Sequence, residues 1–203
     1  MIGRNPSTFI ANLVIIALII SGCATLGFRT LSLTSPRVLV SLDESINVNA
    51  SVICAIPFSS QENIPSQWLL KIGENYARSL QARNIGAMVR FFDSYRNFLV
   101  HRRECHLLLE GSVERMVATG GGQPQELAVL VQIRDVATER VVFSVQQEGI
   151  SYPGRDTDLY WSTKLGEASF PIRTIIRAMS DQFGIFLQEE VVKNLRKSSK
   201  IRI

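Results

Sequence analysis

Read as a string of apolar and polar positions, the chain opens on its longest apolar run. Phe9 to Ile20 holds twelve residues, of which only Asn12 is polar. That run is shorter than the roughly 20 residues a membrane-spanning helix needs. Residues 24–36 show no clear period and end in Ser35-Pro36. Arg37 to Leu42 is short and β-prone, and Asp43 to Asn49 has turn chemistry. Ala50 to Phe58 is almost wholly apolar, as a strand covered on both faces is, and Pro57 stops it. From Ser66 to Arg83 the apolar residues Trp68, Leu69, Ile72, Tyr76, Ala77 and Leu80 mark one face of a helix. Gly73 inside that helix costs about 1 kcal/mol against alanine, which a close approach of helix to sheet would explain. Asn84 and Gly86 end it as glycine-type caps do. Ala87 to Phe92 reads as a strand, so strand, helix and strand form a parallel crossover unit.

Ser94 to Arg103 predicts a short helix carrying Tyr95, Phe98 and Leu99 inward. A period of two then takes over. His106 to Ala118 sets Leu107, Leu109, Gly111, Val113 and Val117 on one face, with Glu110, Ser112 and Glu114 on the other. After a turn at Gly120 to Gly122, Glu126 to Asp135 returns with Leu127, Val129, Val131 and Ile133 inward. Asp135 to Arg140 turns again, and Val141 to Glu148 completes an antiparallel meander with one wetter face. Residues 149–170 read as a long polar loop, a length commonly reserved for function. Behind Pro171, Ile172, Ile175, Ile176, Met179, Phe183, Phe186, Leu187 and Val191 stripe a helix to about Leu195. A basic tail follows, complementing the helix dipole. The expected fold class is α/β in the α+β sense: a mixed β-sheet with a βαβ crossover and an antiparallel meander, helices packed on the sheet.

The first apolar run gains meaning from its flanks. Arg4 is the only charge in the first 28 residues, and Ser21-Gly22 closes the run with small side chains. Basic start, apolar core and small closing pair match a secretory signal. Cys23 directly after that pair resembles the lipobox of bacterial lipoproteins. The resemblance implies cleavage between Gly22 and Cys23, diacylation of the Cys23 thiol and acylation of the new amino group. An uncleaved anchor, or an ordinary signal ending near a cysteine, is the plainer alternative. With Ala24 in place of an aspartate, the lipoprotein resemblance implies sorting to the outer membrane, facing the periplasm, rather than retention at the inner membrane. The expected organisation is a signal peptide over 1–22, a lipidated tether over 23–36, one periplasmic domain over 37–198 and a basic tail over 199–203.

Composition sharpens this little. Without residues 1–22 the chain keeps 181 residues, enough for one domain. It carries 21 basic against 18 acidic side chains, formally +3, so no nucleic acid partner is expected. Cys54 and Cys105 remain beside the acylated Cys23. An exported domain permits a disulfide between them, while their apolar neighbours favour burial as free thiols.

Catalytic signatures are missing. There is no G-x-S-x-G turn. His101 and His106 flank Cys105, but a spacing of five does not put both on one helical face, and no further ligand stands at a zinc-like interval. The triple glycine suits a turn better than a phosphate cradle. No catalytic residue, metal or cofactor is expected. Tyr152, Arg155, Asp156, Asp158, Tyr160 and Trp161 form the candidate binding set in the long loop, because aromatic and arginine side chains dominate interface hot spots. Asp156 and Asp158, with Glu167, would alternatively suit glycan hydrolysis, and the aromatics could simply cover a sheet edge.

The order of elements carries one further likeness. An apolar strand ends in Ile56-Pro57-Phe58, and a helix with a midway glycine follows. Next come a strand, a strand reading Leu109-Glu110-Gly111-Ser112-Val113, and a hairpin turn at Asp135-Val136-Ala137-Thr138-Glu139-Arg140. Over about residues 37–195 this resembles the periplasmic α/β lipoproteins grouped around the curli secretion channel, the penicillin-binding-protein activator lipoproteins and the amino-terminal domain of the TolB translocation protein. The long loop has no counterpart there. The resemblance implies helices on a mixed sheet and work by assembly with other envelope components. The expected function is that of a membrane-anchored periplasmic lipoprotein, non-enzymatic, serving a secretion or transport complex as an accessory or assembly component. Its expected partners are the membrane through the lipid, envelope proteins and copies of itself. The alternatives are an auxiliary lipoprotein of an ABC-type transporter and a cell-wall glycan enzyme.

Overall fold

The computed structural model describes residues 28–119, 122–157, 163–165 and 168–200. Its centre is a mixed sheet. β6 (Leu107–Val117), β7 (Gln125–Asp135) and β8 (Val141–Tyr152) form the antiparallel meander. β3 (Val52–Ala55) runs parallel to β6 and, on its other side, to β5 (Met88–Phe91). β4 (Ser59–Ser60) continues along β6, while β1 (Thr30–Leu33) and β2 (Arg37–Val40) share the free edge of β8. The order across the eight-stranded sheet is β1–β8–β7–β6–β3–β5, with β2 also on β8 and β4 on β6. Three helices pack on it: α1 (Ser66–Ala82), α2 (Tyr95–His101) and α3 (Ile172–Lys200). The fold class is the mixed α+β arrangement that the periodicities imply.

Side-chain alternation decides which face is dry. Leu127, Val129, Val131 and Ile133 of β7 are completely buried, facing Leu107, Leu109 and Val113 of β6 and Phe143 and Val145 of β8. Two helices supply the cover, α1 with Ile72, Tyr76 and Leu80 and α3 with Ile175, Ile176, Met179, Phe183 and Leu187. Phe58, Tyr76, Phe183 and Phe143 form a chain of rings through this layer, with centroids 5.1, 5.3 and 6.3 Å apart. At such spacings aromatic pairs contribute beyond their buried area. Gly73 sits where α1 crosses the end of β3. A Cβ there would lie 2.4 Å from the Ile56 carbonyl oxygen, so the glycine permits the close approach inferred from its position.

One polar group is built into the dry layer. Gln147 points inward from β8; it accepts from the Tyr76 hydroxyl at 2.9 Å and donates to the Gln182 side chain at 3.0 Å. Gln182 in turn donates to the Thr34 carbonyl at 3.0 Å. Burial raises the Tyr76 phenol above its ordinary value, so it stays a neutral donor. The network ties α1, β8, α3 and the β1–β2 connection with each amide partnered, which removes the desolvation cost of burying it.

Several expectations change. Within the stretch expected as a tether, Thr30–Leu33 is a strand on β8 whose Leu31 and Leu33 pack against the core. The apolar segment Ala50–Phe58 yields only four residues of β3, because Pro57 and the crossing of α1 end it. On α2 only Phe98 faces inward, while Tyr95 and Leu99 are exposed. A bulge between Val113 and Arg115 shifts the parity of β6, so Met116, not Val117, meets the core opposite Leu127. β8 runs on to Tyr152, and the presumed loop 149–170 holds a small hairpin of β9 (Arg155–Thr157) and β10 (Thr163–Leu165). α3 extends past Leu195 to Lys200.

A second, smaller cluster lies on the opposite face beneath α2. Phe98, Leu108, Ile56 and Val136 surround Cys54 and Cys105, which are both buried and bonded to each other, Cα to Cα 5.7 Å. The apolar neighbours favour free thiols and are right about burial only: both cysteines are buried, but as a disulfide.

Gly73→Ala tests the helix–sheet contact by sign. Helix propensity alone predicts a gain of about 1 kcal/mol. The clash with an immovable carbonyl predicts a net loss of roughly 1–3 kcal/mol, read as a lower urea midpoint with an unchanged slope.

Candidate functional site

Because α1 and α3 cover one face, the other face of β6–β7–β8 is left largely open and polar. Glu110, Ser112 and Arg115 of β6, Gln132 and Arg134 of β7, and Gln146 and Glu148 of β8 alternate outward from the core residues. A groove of about 520 Å³ runs along its β8 side, lined by Thr34, Arg37, Glu114, Arg115, Gln146 and Glu148 among others. Its centre is Arg115, which donates to Glu148 at 2.7 Å and to Glu126. Gln146 donates to Glu114 at 2.7 Å. Further along, Arg134 holds Glu110 through two donors at 2.8 and 2.6 Å.

Electrostatics set these carboxylates apart. Desolvation raises the Glu126 carboxyl above its usual range, with the hydrogen bond to Glu148 pushing the same way and Arg115 opposing both. At the turn after β7, Asp135 is held below the carboxylate range, chiefly by the Thr138 amide and hydroxyl at 2.7 and 2.8 Å. The face therefore offers carboxylates already engaged by arginines and amides. Such a surface suits recognition of polar groups better than proton transfer, which needs an uncommitted acid or base within reach of the substrate.

Two apolar features border this face. All four residues of β2 are exposed, including Val38, Leu39 and Val40, and among the described strands β2 pairs only with β8. Its outer side is an open edge with a row of main-chain donors and acceptors. Tyr95, Leu99 and Val100 of α2 are also exposed.

The residues singled out from sequence fall in different places. Gly22, Cys23, Asp158, Tyr160 and Trp161 lie outside the described residues. Tyr152 is exposed at the end of β8, opposite Thr30 of β1. Arg155 and Asp156 are backbone partners of Leu165 and Lys164 in the β9–β10 hairpin. His106 and His101 serve separate local tasks. The ring of His106 accepts the Val52 amide at 3.0 Å, while His101 stacks on Phe92 and contacts Glu104 at 3.0 Å. Among the described residues no group of three His, Cys, Asp or Glu could hold a metal, and no helix is long and apolar enough to cross a membrane. Sequence reasoning passed over the Arg115, Glu126 and Glu148 cluster. Outward parity could mark the two glutamates, but Arg115 joins them only because the bulge rotates it outward opposite Ala128.

Comparison with known proteins adds likeness of shape. No protein-family profile matches the chain. No curated protein matches it in sequence. Among solved structures it is similar to a PelC dodecamer from Paraburkholderia phytofirmans, at 17% identity over 76% of this chain and 94% of that one, TM-score 0.49. It is also similar to protein XCC0632 from Xanthomonas campestris, at 11% identity over 80% and 98%, TM-score 0.46. Lipoprotein GNA1162 from Neisseria meningitidis is similar at 12% identity over 49% and 81%, TM-score 0.33. At identities this low and TM-scores below 0.5, these likenesses transfer neither family membership nor function.

Arg115→Met leaves Glu126 and Glu148 facing each other without their shared cation. Half of the Arg115 side chain is exposed, so solvent screening limits the expected loss to roughly 1 kcal/mol at pH 7. A carboxyl with a raised folded-state pKa gains stability as pH falls toward that value, because the folded state then binds the extra proton. The deficit of Arg115→Met should therefore shrink between pH 7 and pH 5, as followed by denaturation midpoints across that window.

Proposed function

We propose that this chain is a lipid-anchored lipoprotein of the bacterial envelope, acting without catalysis as an accessory or assembly component of a secretion or transport complex. Cys23 would carry the acyl chains, and the folded body would face the periplasm from the outer membrane. The signal-like run ending at Ser21-Gly22-Cys23 supports the anchor. The Cys54–Cys105 bond suits an oxidising compartment.

The observation that carries the assembly role is β2. A strand of four exposed residues, three of them apolar, sits at the sheet margin with its outer main-chain groups unpaired by any described strand. Its short length, the irregular pairing between Val38 and Val40 and the charge of Arg37 limit uncontrolled pairing at this edge but leave its apolar side chains exposed. Addition of an extended segment from an envelope partner would satisfy those groups, with Val38, Leu39 and Val40 supplying apolar contact. Arg37, at the head of the strand, lies in the polar groove and would orient the incoming chain.

A photo-crosslinking residue at position 39, in native membranes, should capture an envelope protein. The same residue at the exposed Arg78 of α1 should not. Mass spectrometry of the amino-terminal peptide should give Cys23 with acyl mass. An anchored chain that yields no adduct at position 39 would remove β2 as the docking edge. A chain that keeps residues 1–22 without acylation would remove the anchor.

A further inference from the structure

α3 has two faces with different tasks. Ile172, Ile175, Ile176, Met179, Phe183, Leu187 and Val191 cover the sheet. A helix that only covers a sheet is polar on the opposite side. Here that side carries Ile185 and Val192, 47% and 41% exposed, and Leu195 at 54%. Ile185 and Val192 are seven residues apart and so lie above one another; with Gln188 and Leu195 they have the three-and-four spacing of a helix-pairing seam. Glu189 and Arg196, again seven apart, run along the same stripe, each four residues beyond an apolar one. A shallow groove of about 440 Å³ follows this line.

We propose that this stripe is a homodimer surface on which α3 of a second copy lies antiparallel, about a two-fold axis close to Val192. The charges select the occupant and its direction. A parallel pairing would bring Glu189 to Glu189 and Arg196 to Arg196. An antiparallel one brings Glu189 of each copy toward Arg196 of the other, twice over by symmetry, while Lys193 is held by Glu190 of its own helix at 2.6 Å. Val192 then meets its own counterpart on the axis, with Ile185 and Leu195 extending the apolar contact to either side. The surface is self-complementary, as a two-fold interface requires. It lies on α3 and uses no residue of β2, so it goes beyond the assembly role proposed above and does not rest on the lipid anchor.

The test uses the full chain in detergent. Under mild oxidation, Val192→Cys should form a disulfide-linked dimer that neither the parent chain nor Val100→Cys on α2 forms. By sedimentation in density-matched detergent, Glu189→Lys and Arg196→Glu should each weaken self-association about tenfold or more, through the like charges they bring together. An equimolar mixture of those two variants should recover the affinity as heterodimers, a result that misfolding cannot mimic. A chain monomeric at all concentrations overturns the proposal. So does a dimer that ignores both charge reversals, or that cross-links through Leu39→Cys and not through Val192→Cys. Adducts at position 39 to an envelope protein would persist in either case, so the two ideas fail separately.

Discussion

Burial of one row of side chains on β7 governs the molecule. Leu127, Val129, Val131 and Ile133 are wholly removed from water, and only α1 and α3 together are wide enough to keep them so. Each fully buried side chain of this kind contributes about 1.5–3 kcal/mol, so the row and the helices facing it outweigh any surface ion pair in the structure. The rest follows from that one-sidedness. The two long helices, α1 and α3, are committed to one face, the other face carries only the short α2 and stays wet across its middle, and the chain finishes the margins of the sheet with short strands.

Polar groups divide along the same line. Those on the dry side are few: Gln147 engages Tyr76 and Gln182, while the Ser79 hydroxyl and the Arg83 Nε, against Gly184 of α3, are buried with no hydrogen-bond partner among the described residues. Those on the wet side are many and arranged in rows, with arginines serving more than one acceptor. The inner amide does for geometry what apolar packing cannot: it fixes α1, α3 and the β1–β2 connection relative to one register of β8, since a slip by one residue would turn Gln147 outward and strand the Tyr76 hydroxyl. The open margin at β2 is thus held at a defined position relative to the groove, as the docking proposed for it requires.

Much of the layered fold is legible in the periodicities. The meander strands announce themselves through alternation at Leu127 to Ile133, and α1 through the spacing from Trp68 to Leu80. Gly73 even reveals a contact, since its cost in a helix asks for a tight approach. What escapes is whatever depends on register. The bulge near Glu114 leaves no mark in the residue pattern, yet it exchanges Val117 for Met116 and turns Arg115 toward two glutamates on neighbouring strands. Thr30–Leu33 does alternate, in residue type and in burial, but four residues are too short a run to stand out from the aperiodic stretch around them. The candidate set in the long loop rests on composition, which does not say where a hairpin forms. The outer stripe of α3 was hidden by the stronger inner one on the same helix.

The sulfur bridge between Cys54 and Cys105 encloses far more than its two neighbours. The residues are 51 apart in sequence, and the ring so closed contains the whole of α1, β5 and α2. By the chain-entropy estimate, a loop of that size removes about 4 kcal/mol of freedom from the unfolded state. With both thiols reduced, the crossover unit loses that margin, which is a large share of what a domain of this size has to spare. The molecule's resistance to unfolding is accordingly a property of the redox surroundings as much as of its sequence.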